Sequence, residues 1–106
     1  MSLLSDTFAA LSDDTRLKLV ERLMAEGELP AGALVEGVDI SGPAISRHLK
    51  VLRSAGLVQQ RAEGTHRYYS VRPEALRAVA DWTMDHHGFW RSGLDRLEAM
   101  LTEEQE

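Results

Sequence analysis

The stretch from Ser41 to Val71 constrains this chain most, because a helical and a strand-like apolar period follow each other within it. Ser41-Gly42-Pro43 reads as a helix start: a serine to accept from free N–H groups, and a proline in the first turn, where a missing N–H costs nothing. Ile45, Leu49 and Leu52 then recur at helical spacing, with Ser46, Arg47 and Lys50 on the other face. Ala55-Gly56 stops this helix. Leu57 to Arg61 and His66 to Val71 are β-compatible segments around Ala62-Glu63-Gly64-Thr65, a turn with glycine, so a hairpin follows. Tyr68 and Tyr69 alternate across the second strand; one ring is expected to cover the core and the other to face out.

The flanks read as helices. Leu4, Phe8 and Leu11 give residues 2–11 an apolar stripe. Ser12-Asp13-Asp14-Thr15 begins the next helix, with Ser12 as the small polar cap and carboxylates in the first turn, where the helix dipole favours them. Leu17, Val20, Leu23 and Met24 carry it to about Ala25, before Gly27. Pro30 to Val35 is expected to be a short helix opened by the proline and closed by Gly37. Pro73-Glu74 opens one last helix, expected to run to about Leu101 and weakened locally by Gly88 and Gly93, before an acidic tail, Glu103 to Glu106, that is expected to fray. The fold expected is mainly α with a small β-hairpin: helix, helix, short helix, basic-faced helix, two strands, long helix. That order describes a winged helix-turn-helix, as one domain over residues 1–106.

A chain of 106 residues buries only about two-thirds of its unfolded surface, so one modest core is expected and a long exposed helix needs a partner. The last helix carries Leu76, Val79, Trp82, Phe89, Trp90, Leu94, Leu97 and Leu101, and the first offers a matching stripe of Leu4, Phe8 and Leu11. Large apolar residues at helical spacing point to core or interface more than to a ligand pocket. These residues are the candidate homodimer interface.

Several function classes fall away. With no cysteine, disulfides, thiolate redox chemistry and zinc ribbons are excluded, and metal binding would rest on His, Asp and Glu. No apolar run approaches the ~20 residues of a membrane span, and MSLLSDTF lacks the basic and apolar regions of a signal peptide, so a cytoplasmic protein with no membrane partner is expected. Ser41, Asp39 and His48 lie close in sequence, but a helix cap and its neighbours do not make a nucleophile elbow, and no Gly-rich phosphate loop occurs. Catalysis is not expected.

Charge instead points to a polyanion. Although the chain has net charge −5, residues 41–72 carry Arg47, Lys50, Arg53, Arg61, Arg67 and Arg72 against Glu63 alone, a net +5 that leaves −10 elsewhere. A helix-turn-helix needs small or polar residues where its recognition helix enters the major groove, and cations around it for phosphates. Ser41, Gly42, Pro43, Ala44, Ser46 and Arg47 suit the first task; Lys50, Arg53, Arg61 and Arg67 suit the second. Arg47 can fork onto a guanine edge or sit on a phosphate, and Ser46 can reach either, though both are also ordinary solvent-facing helix residues. His48 fits a phosphate contact or the helix-turn-helix seam equally. The wing arginines fit phosphates or the minor groove.

Leu11-Ser12-Asp13-Asp14-Thr15-Arg16, the stretch Ser46 to Val58 (SRHLKVLRSAGLV), and Gly64 to Tyr69 with its Tyr-Tyr pair together resemble the arsenic-repressor (ArsR/SmtB) family of winged-helix transcriptional repressors. The resemblance covers nearly the whole chain. It implies a homodimer built from the first and last helices that binds double-stranded DNA at a near-palindromic operator and represses transcription. It also implies where metal sites would lie. One pattern needs Cys after Gly27-Glu28-Leu29, where Pro30-Ala31-Gly32-Ala33 stands; the other, aligned on Tyr69-Ser70-Val71, falls on Pro73, Ala75, His86 and Phe89. Only His86 of those four can ligate, and Asp85, His86 and His87 are adjacent residues pointing about 100° apart on a helix. No metal or other cofactor is expected, and no pattern names an effector. The function expected is a sequence-specific DNA-binding repressor of its own or a neighbouring operon. The alternatives are a winged-helix protein-interaction module without DNA binding, and a metal-responsive repressor using the His86/His87 region.

Overall fold

The computed structural model describes residues 2–104. Its first helix, α1 (Leu3–Leu11), is capped by Ser2, whose hydroxyl accepts from the Ser5 N–H at 3.1 Å. The second, α2 (Asp14–Glu26), is capped by Asp13 and not by Ser12. Asp13 is the extended residue, with φ −104° and ψ 132°, and its carboxylate accepts from the Arg16 N–H at 3.1 Å. Ser12 keeps helical angles and closes α1, its hydroxyl donating to the Ala9 carbonyl at 2.6 Å. Gly27 ends α2 with φ +81°, a conformation that favours glycine.

A strand absent from the sequence reading follows. β1 (Leu29–Pro30) pairs antiparallel with the second hairpin strand, Leu29 opposite Tyr69 and Pro30 opposite Tyr68. It is an edge strand, where proline's missing N–H leaves no ladder bond unmade. Pro30 therefore precedes the short helix α3 (Ala31–Val35) and does not open it from within.

Next comes α4 (Gly42–Ser54), capped as expected by Ser41, whose hydroxyl accepts from the Ala44 N–H at 3.3 Å. The hairpin is β2 (Val58–Glu63) and β3 (His66–Val71), joined by Gly64-Thr65 alone. This loop is tighter than expected, and Gly64, at φ +61°, supplies the positive φ that a two-residue hairpin turn needs at its first position. The sheet order is β1-β3-β2.

The expected single last helix is two helices, α5 (Pro73–Asp85) and α6 (His87–Glu104). The break is at His86, which leaves helical geometry at φ −108°, ψ 16°. Both its backbone N–H and its Nδ1–H donate to the Trp82 carbonyl, at 3.2 and 2.8 Å, so the side chain closes α5. The acidic tail is helical through Glu104; Gln105 and Glu106 lie outside the described residues.

One cluster of buried side chains joins α2 (Leu19, Val20, Leu23), α3 (Leu34) and α4 (Ile45, Leu49, Leu52) to Leu57, Val58 and Tyr69 of the wing. Fully burying a leucine is worth about 1.5–3 kcal/mol, so the apolar face of α4 fixes its orientation and turns the opposite face outward. Leu11 and Leu76, expected at a dimer contact, pack against this core. In contrast α6 has no buried residue and extends the molecule to 61 Å along its longest axis. The architecture is that of a winged helix-turn-helix. Among the described residues no helix is long and apolar enough to cross a membrane.

Candidate nucleic-acid interface

The Ser41 cap and the packing of Ile45, Leu49 and Leu52 leave one side of α4 to solvent. Ser41, Pro43, Ser46, Arg47, Lys50 and Arg53 are exposed there, with Gly42 and Ala44 half-buried beside them. Among the described residues, Arg47, Lys50 and Arg53 belong to no ion pair. Three free cations thus line the exposed face, and the positive end of the helix dipole adds to them at the cap.

His48 lies at the seam instead. Its Nδ1 is 3.5 Å from an Arg16 guanidinium nitrogen and 3.7 Å from Asp13 Oδ2, while Arg16 Nε donates to the Ala10 carbonyl at 2.7 Å. The N–H of Arg16 beside Asp13, with the charges of His48 and Arg16, holds the Asp13 carboxyl below the usual aspartate range. Of the two readings open for His48, this geometry matches the seam: the side chain ties α4 to the α1–α2 junction. Asp13 and Arg16 were not picked out as partners, because each contributes through a fold contact distant in sequence.

The wing divides its arginines between two faces. Val58, Gln60, Ala62, Arg67, Tyr69 and Val71 share the face that packs on the helices, and Gln60 Nε2 donates to the Tyr69 hydroxyl at 2.8 Å. Arg67 is exposed near the tip, its guanidinium 3.5 Å from Gln60 Oε1 and paired with no carboxylate among the described residues. Arg61 stands on the other face, against the half-buried Tyr68, and is engaged by Glu28 and Glu63. Those contacts hold the Glu28 carboxyl below its ordinary range and push the Arg61 guanidinium up. Arg61, expected to hold a phosphate, is thus already paired with two carboxylates. Glu28 was missed because it lies 33 residues from its partner; His66, exposed at the tip, was also missed, although its place beside the turn was legible.

A second surface lies on α1, α5 and α6. Phe8 meets Trp82 edge-on at 5.7 Å between ring centroids, Trp82 meets Trp90 at 6.0 Å, and Trp90 meets Phe89 at 5.4 Å. Leu4 and Val79 are half-buried nearby, but Trp90 remains 44% exposed, Leu94 63%, and Leu97, Met100 and Leu101 more than half.

The positions at which the resemblance implies metal do not fit one. Pro73 and Ala75 open α5, Ala75 fully buried, and Phe89 has no donor atom, so of the four only His86 could ligate, through Nε2, its Nδ1–H being donated to the Trp82 carbonyl. Among the described residues no three His, Cys, Asp or Glu side chains converge as a metal site would require.

Comparison with known proteins points the same way as this geometry. A family profile described as a helix-turn-helix domain matches residues 11–61, from the end of α1 to the middle of β2. The HTH-type transcriptional regulator Rv2034 of Mycobacterium tuberculosis is 41% identical over 95 residues, covering 90% of this chain and 85% of that protein. The transcriptional repressor SdpR of Bacillus subtilis is 33% identical over 82 residues, covering 77% of this chain and 90% of that one. Among solved structures, the ArsR family transcriptional regulator RHA00566 superposes with a TM-score of 0.73 at 27% identity, covering 85% of this chain and 92% of its own.

Proposed function

Because the chain belongs to the ArsR family of winged helix-turn-helix transcriptional regulators, and is a DNA-binding repressor and not an enzyme, we propose that it acts as a cytoplasmic homodimer on a near-palindromic operator of its own or a neighbouring operon. The observation that carries this reading is the capped N-terminal half of α4, which presents Ser46 and Arg47 beside the unpaired Lys50 and Arg53. Residues 42–47 read base edges in the major groove. Lys50 and Arg53 hold phosphates on either side, and Arg67 reaches the flanking backbone or minor groove from the wing.

The exposed apolar face supports dimerisation through α1, α5 and α6. Covering Trp90, Leu94, Leu97 and Leu101 with a symmetry mate stabilises by about 1.5–3 kcal/mol for each side chain fully buried. The two-fold axis then sets two copies of α4 about one DNA turn apart, roughly 34 Å. A winged helix used only for protein contacts has no need of the cations on α4 that pair with no carboxylate among the described residues, and the lack of converging ligands around His86 there disfavours a metal-dependent reading.

A gel shift with the DNA upstream of the protein's own gene tests the proposal. A retarded band that survives excess scrambled duplex is expected. Equal competition by promoter and scrambled duplexes would contradict it.

A further inference from the structure

The outer face of the wing carries a polar assembly for which DNA contact alone has no use. Arg61 on β2 lies opposite Tyr68 on β3, and Tyr68 opposite Pro30 on β1, so the three form one row across the sheet. Glu63, two after Arg61, shares this face by strand alternation, and Glu28, in the bend just before β1, is brought to it by its contact with Arg61. The Arg61 side chain crosses β3 over the Tyr68 ring, its guanidinium carbon 4.6 Å from the ring centroid. Beyond the ring it reaches both carboxylate oxygens of Glu28 through Nε and Nη2, at 2.5 to 3.2 Å, while Nη1 donates to Glu63 at 2.6 Å.

An exposed pair of single charges is worth little, because water screens it and two side chains must be ordered to hold it. Here one guanidinium is gripped by a two-pronged carboxylate, a second carboxylate and an aromatic face, and its ordering is shared among all three. The Glu28 end is anchored in the body of the protein, immediately after the glycine that closes α2. Two carboxylates against one arginine also leave this face net negative, while Arg67 on the opposite face pairs with no carboxylate among the described residues.

We propose that Glu28 and Glu63 form an acidic latch on Arg61 that ties the hairpin to β1 and withholds this arginine from phosphates, leaving Arg67 as the wing's contact with DNA. The inference rests on the DNA-binding reading above. Each phosphate contact withheld removes about one released counterion per protomer from sequence-independent binding, so the latch raises discrimination between operator and random DNA.

Salt-dependent binding tests it, with a duplex of the protein's own promoter and a scrambled duplex, on wild type, R61Q, E28Q/E63Q and the triple variant. The expected result is that R61Q keeps the wild-type salt slope. E28Q/E63Q should bind scrambled DNA more tightly, with a slope steeper by about two per dimer, and adding R61Q should return that slope to the wild-type value. A slope made shallower by about two in R61Q alone would show that Arg61 already holds a phosphate, and would overturn the latch. So would equal slopes for E28Q/E63Q and the triple variant, which would mean that the removed carboxylates, and not Arg61, account for any gain; this pair decides the matter even if R61Q alone does not fold. Wild type binding neither duplex would contradict the DNA-binding reading itself, whereas the other two outcomes contradict only the latch.

Discussion

Arg61 on β2 and Arg67 on β3 flank the same Gly64 turn, yet they project from opposite faces of the hairpin: Arg61 shares the face of Tyr68, Arg67 that of the buried Tyr69. Two arginines that look equivalent in sequence are thus in different electrostatic states, one paired with two carboxylates and the other with none among the described residues.

Arg67→Ala should therefore weaken promoter and scrambled DNA to a similar degree and lower the salt slope by about two per dimer, one lost phosphate contact on each wing. Fluorescence anisotropy across a salt series measures this. If Arg67 instead sits in the minor groove and senses its width, discrimination will fall while the slope holds.

The parts of this molecule governed by local rules were legible in the sequence. Ser41 as cap, the buried face of α4, the hairpin and the opposite facing of Tyr68 and Tyr69 each follow from spacing and turn chemistry within a few residues, although which of the two rings is buried does not. What was not legible depends on contacts between distant segments. β1 is only two residues long and contains a proline, so nothing local marks it as a strand until β3 is beside it. The break at His86 was hidden because the apolar spacing continues from Trp82 to Trp90 across it, and the cause is a histidine bonding back to a carbonyl rather than a proline. The Arg61 pairing is of the same kind: strand alternation alone separates Arg61 from Arg67, but only the β1 pairing brings Glu28 within reach.

The apolar face of α6 predicts a dimer. Sedimentation at micromolar concentration should show one, and L94E/L97E, which places carboxylates where two buried leucines would each contribute about 1.5–3 kcal/mol, should raise the dissociation constant at least ~100-fold. A monomeric wild type at that concentration would contradict the dimer.

Zinc at stoichiometric amounts should leave DNA affinity unchanged, since Pro73, Ala75 and Phe89 supply no ligand atoms and His86 alone does not make a site. A roughly tenfold loss reversed by a chelator would contradict this, being about 1.4 kcal/mol of real coupling.

Asp13 gives the fold a defined acid response. Its carboxyl is held below the ordinary range, first by the Arg16 N–H, so its contribution is fully present above the unfolded value of about 3.9 and is lost as pH falls through the lower folded value. Asp13→Asn keeps a capping oxygen but no titration. Its melting temperature should lie below that of wild type at about pH 7, and the two should converge as pH falls from about pH 5 to about pH 3, so that the variant's decline is the shallower. An unchanged decline would show that Asp13 does not carry this dependence.

The most direct measurement of the central claim, that α4 reads base edges, compares wild type and Arg47→Ala on the promoter duplex and on a scrambled duplex at one fixed salt concentration. Loss of a base-edge contact should cost about 1–3 kcal/mol on the promoter and distinctly less on the scrambled duplex, so that the ratio of the two affinities falls. Equal losses on both duplexes, with the ratio preserved, would contradict base reading by Arg47 and reduce it to a phosphate contact.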